Sequence, residues 1–233
     1  MQIAPRTSRR PFAFRAGRKL PLLTMALLSL ASVAGAGELS SPRDPVSGAR
    51  LPYRTFQDLG PNGRRIAEIF SNGAPMTAPL TGPVAFAAYN VDVANAMIDL
   101  HVAAVRKSGL DAYVRELATL VACREINYSL EWNAHEPAAL AVGIDPRVID
   151  IVRHRRPLEK LSPRDAAIIR FGRELLHDRK MSAETFDAAV KFFGKTETMN
   201  LVGIMSSYAV SGFYAIAVDE HVPSTPQLQQ TPP

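Results

Sequence analysis

Residues 111–146 read DAYVRELATLVACREINYSLEWNAHEPAALAVGIDP, and this stretch decides the fold. Asp111 is a capping residue type: its carboxylate can accept a hydrogen bond from an orphaned backbone N–H in the first turn of a helix. After it, Leu117, Leu120 and Val121 recur at three- and four-residue intervals, the spacing of one helix face. The pattern predicts a helix from Asp111 to about Asn127 and a second from about Ser129 to Val142. Gly143 stops the second, because glycine takes the left-handed backbone that closes a helix without a Cβ penalty. Asp145-Pro146 then opens a short helix, Arg147 to His154, with a capping Asp followed by Pro at the first helical position.

Working outward, Ser162-Pro163-Arg164-Asp165 repeats that start signal, and a helix from Ala166 to His177 is expected to follow. Ser182 with Thr185 opens Ala183 to Phe193, which Gly194 ends. Thr196 opens a last helix to about Val218. It is nearly all apolar or small, a composition that is buried on most sides, in a core or against another subunit. Towards the N-terminus, Gly63 to Ser71 carries Ile66, Ile69 and Phe70 on one face, and Val84 to Lys107 reads as one long helix closed by Gly109. No stretch alternates as a strand does, and no repeat suggests a solenoid. The fold class is all-α, with about seven or eight helices over residues 61–222. Residues 37–60, rich in Pro, Gly, Ser and Arg, read as an extended arm, and the Pro- and Gln-rich residues 223–233 as a disordered tail.

Residues 1–36 read as an export signal. Arg6, Arg9, Arg10, Arg15, Arg18 and Lys19 precede the apolar run LPLLTMALLSLASVA from Leu20 to Ala34, which ends in the small-residue site Ala34-Gly35-Ala36. The run of 15 residues is short for a bilayer span, which takes roughly 20. Ser8-Arg9-Arg10-Pro11-Phe12 has the twin-arginine pattern, although Ala13 and Phe14 stand where Leu and Lys are usual. The expected location is periplasmic or secreted. Of the chain's 27 basic residues, six fall in this segment, leaving 21 against 22 acidic ones. The positive balance thus belongs to the signal and does not argue for a nucleic-acid partner. After cleavage, no membrane segment is expected. The one cysteine, Cys123, cannot form an internal disulfide and lies on an apolar helix face, so it reads as a core thiol.

The densest polar cluster is Glu116, Tyr128, Glu131 and His135. Glu131 and His135 are four apart and share a helix face. Tyr128, three before Glu131, is expected on that face one turn earlier. A carboxylate beside an imidazole orients it and raises its proton affinity, and a phenol can donate to a developing enolate or oxyanion. That combination suits proton transfer next to a carbonyl. Trp132 is expected to wall a substrate pocket. Two other readings stay open: a solvated helix face, and a zinc or iron site in which Glu116 or His101 adds a third ligand to Glu131 and His135. Nothing in the sequence asks for a cofactor. Arg153-His154-Arg155-Arg156 is a basic cluster at a helix C-terminus, where positive charge is favoured; it reads as solvated, with attraction of an acidic substrate the alternative.

The phrases VRELATLVACREINYSLEWNAHEPAALAVGIDPRVID and LSPRDAAIIRFGRELLHDRKMSAETFDAAVKFFGKTETMNLVGIMSSYAVSGFY resemble the carboxymuconolactone decarboxylase family, which also contains the alkylhydroperoxidase AhpD-like proteins. The resemblance spans about residues 75 to 220. In the family's redox branch the pattern is Glu-x11-Cys-x2-Cys-x3-His. From Glu116 that spacing lands on Tyr128, Glu131 and His135, so the glutamate and histidine are kept and both cysteines are replaced. Disulfide-cycling peroxidase chemistry needs both thiols, and Cys123 lies five residues too early to stand in. The resemblance therefore points to the decarboxylase-like branch. It implies an AhpD-like helical bundle, assembled as a homo-trimer or homo-hexamer, that performs cofactor-free acid–base chemistry on a small carboxylated or lactone substrate. In that reading His135 transfers the proton, Glu131 orients it or acts as the second base, and Tyr128 and Glu116 hold substrate or complete a relay; the alternative is a catalytically idle member of the fold that binds a small molecule or serves as a structural oligomer.

Overall fold

A computed structural model of the chain describes residues 43–220 and Leu228. The predicted export signal, residues 37–42 of the arm and the tail apart from Leu228 lie outside the described residues.

Eight α-helices account for most of these residues: α1 (Arg64–Phe70), α2 (Pro83–Ala87), α3 (Val91–His101), α4 (Ala112–Glu125), α5 (Ser129–Ala141), α6 (Pro146–Arg153), α7 (Pro163–Gly172) and α8 (Ala183–Ala217). The described residues contain no strand, only an isolated bridge between Thr55 and Pro79. The all-α expectation holds. The predicted caps form: Asp111 accepts from Val114 N at 2.9 Å, Asp145 from Arg147 N at 2.8 Å, Ser162 from Asp165 N at 3.1 Å and Ser182 from Thr185 N at 3.2 Å.

The spine is α4. Val114, Leu117, Leu120, Val121 and Cys123 are fully buried along it, and α5, α6, α7 and α8 pack around it. Ile168, Phe171, Leu201, Ile204 and Met205 fill the space between these helices. By length and composition α8 could cross a membrane, because Ala, Gly and Ser dilute its few charges. Its Leu201, Ile204, Met205 and Tyr208 are nonetheless buried in the core. At Gly194 the backbone of α8 leaves helical geometry (φ 79°, ψ 171°), so the expected boundary there survives as a break between two arms.

Three expectations are corrected. Val84 to Lys107 is not one helix. Asn90, at φ −125°, accepts from Asp92 N and Val93 N at 3.2 and 3.3 Å and starts α3 afresh. An Asn side chain offers the backbone this alternative to continued helix, which apolar periodicity does not register. After α3 the chain widens into a π-helical turn, Val102–Arg106. Secondly, of the three apolar residues expected on one face of α1 only Ile66 is buried, with Ala67 packed beside it, while Ile69 and Phe70 stay exposed. Thirdly, residues 43–60 are not an extended arm. Thr55 and Asp58 cap a short 3₁₀ turn, Phe56–Leu59, and Phe56 and Leu59 enter a second core with Ile66, Leu80, Met97 and Ile98. Arg43 pairs with Asp219, and Arg50 N donates to Val218 O at 2.7 Å, tying the segment to the end of α8. Burying two large apolar side chains outweighs the loop-like composition.

Candidate active site

The α4–α5 connection sets the site. Tyr128 N donates to Cys123 O at 2.8 Å, with Asn127 left-handed between them (φ 56°). This tight turn lays α5 antiparallel on α4. Glu116 lies seven residues before Cys123 and His135 seven after Tyr128, each about two turns from the bend, so the two face each other. His135 Nδ1 is 2.8 Å from Glu116 Oε2, and its Nε2 is 3.3 Å from Glu131 Oε2. From α8, the Tyr208 hydroxyl lies 3.0 Å from the same Nε2, with its ring edge-on to the imidazole.

The side chains of Glu116, Glu131 and His135 are only 19%, 23% and 22% exposed, so the solvated-face reading does not hold. Burial alone would make the imidazole give up its proton. The hydrogen bonds it donates to Glu116 and Glu131, and their charges, outweigh burial and raise His135 to about 9. At neutral pH the ring is an imidazolium between two carboxylates. Burial and the surrounding acidic groups push the Tyr208 phenol up, so it stays neutral as donor and acceptor. His101, at the end of α3, stands edge-on to Tyr208 and 3.3 Å from Ser207 Oγ. Burial lowers its proton affinity; the charge of Glu131 opposes this, while Arg106 and His135 reinforce it. The site therefore combines a charged imidazole and a neutral one.

Two expected members fall elsewhere. Tyr128 precedes α5 with non-helical backbone (φ −92°, ψ 88°), so helical periodicity does not carry it onto the Glu131–His135 stripe. Its ring packs where α8 has Gly212, and its hydroxyl is buried without a hydrogen-bond partner among the described residues. Burial, then the charges of Glu131 and Glu220, hold that phenol in its neutral form. Trp132 is no pocket wall. It is buried in the main core on the stripe it shares with Glu136, to which its Nε1 donates at 2.9 Å, and Arg153 lies over the ring. Nor do the described residues form a metal-ligand group of three or more His, Cys, Asp or Glu. Glu116 and Glu131 approach opposite nitrogens of His135 and do not converge on one point. Cys123 is a buried thiol whose proton burial holds tightly.

Sequence reasoning missed Tyr208 altogether and took His101 for a structural residue or, in the metal reading, a third ligand. The one available signal for Tyr208 was a phenol inside a helix otherwise made of apolar and small residues. A groove of about 770 Å³ lies between α6 and the start of α7, with Tyr113, Arg147, Ile151 and Asp165 in its wall and none of the cluster's residues among its lining.

No family model matches the chain, and no curated protein is similar to it.

Proposed function

We propose that this chain is an exported, cofactor-free enzyme of the carboxymuconolactone decarboxylase type, which moves a proton at a carbon of a small carboxylated or lactone substrate. The observation that supports this reading is the imidazolium of His135, four-fifths buried and held between Glu116 and Glu131. When carbon dioxide leaves a substrate, the bonding electron pair stays on carbon as a carbanion or enolate. His135 gives its Nε2 proton to that carbon and is recharged from solvent. Glu116 fixes the ring through Nδ1, Glu131 stabilises the charged form, and Tyr208 donates to the enolate oxygen. The residues that do this work belong to the chain itself, and the step requires no electron transfer.

The test is turnover of a panel of small lactone and carboxylated substrates by His135→Ala. Loss of a positioned acid is expected to lower kcat by about 10²–10⁴-fold. Equal turnover by the variant and the parent would sink the proposal. In its place would stand a structural role, favoured by the fact that each ring nitrogen already has a protein partner.

The assembly belongs to the same proposal. The outer faces of α3 and α8 expose Val93, Leu100, Met199, Phe213 and Ile216, the last three at 56%, 59% and 50%. Apolar side chains so exposed on two neighbouring helices support a homo-trimer or homo-hexamer. Export through the twin-arginine route is tested by Arg9→Lys with Arg10→Lys, which is expected to leave the uncleaved chain in the cytoplasm.

A further inference from the structure

Local signals build the groove between α6 and the start of α7. Gly143 takes the left-handed backbone (φ 88°) just after α5, Asp145 caps α6, and Ser162 caps α7 after the loop that follows α6. Val148 and Ile151 of α6 and Leu161 of that loop make part of the wall apolar, and Tyr113 of α4 adds an aromatic ring. The basic run that ends α6 is not a solvated patch. Arg153 pairs with Glu136, Arg155 turns inward to Glu125, and His154 and Arg156 turn to Asp150.

Asp165, the third residue of α7, stands apart from the other charges of this wall. It is only 8% exposed, and it forms no ion pair among the described residues. Its neighbour in sequence, Arg164, turns to Asp111 at 2.6 Å. The two arginines of the groove are also committed, Arg147 to Asp145 at 2.6 Å and Arg156 to Asp150 at 3.2 Å. Glu159 and Lys160, both exposed, carry opposite charges in the same wall. Asp165 is thus left with one negative charge in excess. Burial and then the charge of Asp165 push the Tyr113 phenol up to about 12, so the phenol stays neutral and does not compensate the carboxylate. A buried carboxylate is ordinarily paired, because desolvation penalises a lone charge.

We propose that this groove binds a small organic cation, a primary ammonium group carried on an apolar body. The ammonium meets the Asp165 carboxylate, Tyr113 offers it the negative face of a ring, and Val148, Ile151 and Leu161 take the body. The volume of about 770 Å³ falls in the range of small-molecule sites, roughly 300–1,000 Å³. The excess negative charge selects against an anion of the same shape. None of these residues belongs to the His135 cluster, so the site stands independently of the proton-transfer reading.

The experiment is isothermal titration calorimetry of the full chain at neutral pH and constant ionic strength. The probes are phenethylamine, which is protonated there, and 3-phenylpropionate, which carries a carboxylate on a similar body. A saturable heat with the amine is expected, and binding of the acid weaker by about tenfold or more. Asp165→Asn is expected to weaken amine binding by about tenfold or more, and Ile151→Lys, which puts a positive charge in the wall, to do the same. Arg170→Gln, which removes an arginine outside the groove, is expected to leave it unchanged. Absence of saturable heat with the amine, equal binding of the two probes, or equal amine binding by the parent and Asp165→Asn overturns the proposal. If Asp165→Asn does not fold, Ile151→Lys decides, and unchanged amine binding by that variant overturns it.

Discussion

At the scale of single residues, the site turns on the protonation of His135. Its folded-state affinity lies near pH 9, above the ordinary histidine value of 6.5. The stability it contributes is therefore fully present below about pH 6.5 and is lost as pH rises through 9. The amount is on the order of 3 kcal/mol. Thermal melts from pH 6 to 10 are expected to show this decline, and His135→Asn is expected to flatten it. The ring signal in NMR is expected to titrate near 9 and to move down in Glu116→Gln, because that substitution removes the negative charge beside Nδ1 and leaves a neutral amide oxygen as the acceptor. A titration midpoint at 6.5 in the parent would show that the carboxylates do not hold the proton. Glu116, Glu131 and His135 were legible in the sequence because helical spacing and one turn relate them. Tyr128 was misread, since it stands just outside the helix whose periodicity placed it. Trp132 was misread because spacing alone does not say which of two adjoining stripes meets the core.

At the scale of elements, the α4–α5 hairpin and its seat on α8 position the cluster. Gly212 allows the close approach. A Cβ there would lie 2.3 Å from Ile126 Cδ1 and 3.2 Å from the Tyr128 ring. The Ile126 methyl can swing aside, but the Tyr128 backbone is tied to Cys123 O and its ring has little room. Gly212→Ala is expected to cost about 1–2 kcal/mol and to lower Tm by several degrees, measured by calorimetry. An unchanged Tm would mean that the bend at Ile126–Tyr128 shifts freely. The cap residues, the Gly143 stop and the Gly194 break could all be read in the sequence, since each acts within about four residues of itself. The α2–α3 break could not be read from apolar periodicity, because Asn90 competes for the backbone without changing the apolar pattern around it.

At the scale of the molecule, the exposed faces of α3 and α8 bear on assembly. Light scattering of the purified chain is expected to give a mass several times that of one subunit. Phe213→Glu, which puts a charge where a ring is 59% exposed, is expected to reduce it to one while leaving the fold intact. A parent protein that already runs as a single subunit would remove the oligomer from the proposal. The amino-acid order by itself determined the helical class, the caps and the pairing of Glu131 with His135, because caps, stops and i,i+4 neighbours are interactions within one turn of chain. Tertiary structure alone decided that Tyr208 meets His135 across 73 residues, that Trp132 serves the core, that residues 43–60 fold onto the bundle, and that Arg155 turns inward to Glu125. Those contacts join residues from different helices or far along the chain. Which of them meet depends on how whole helices pack, which local periodicity does not encode.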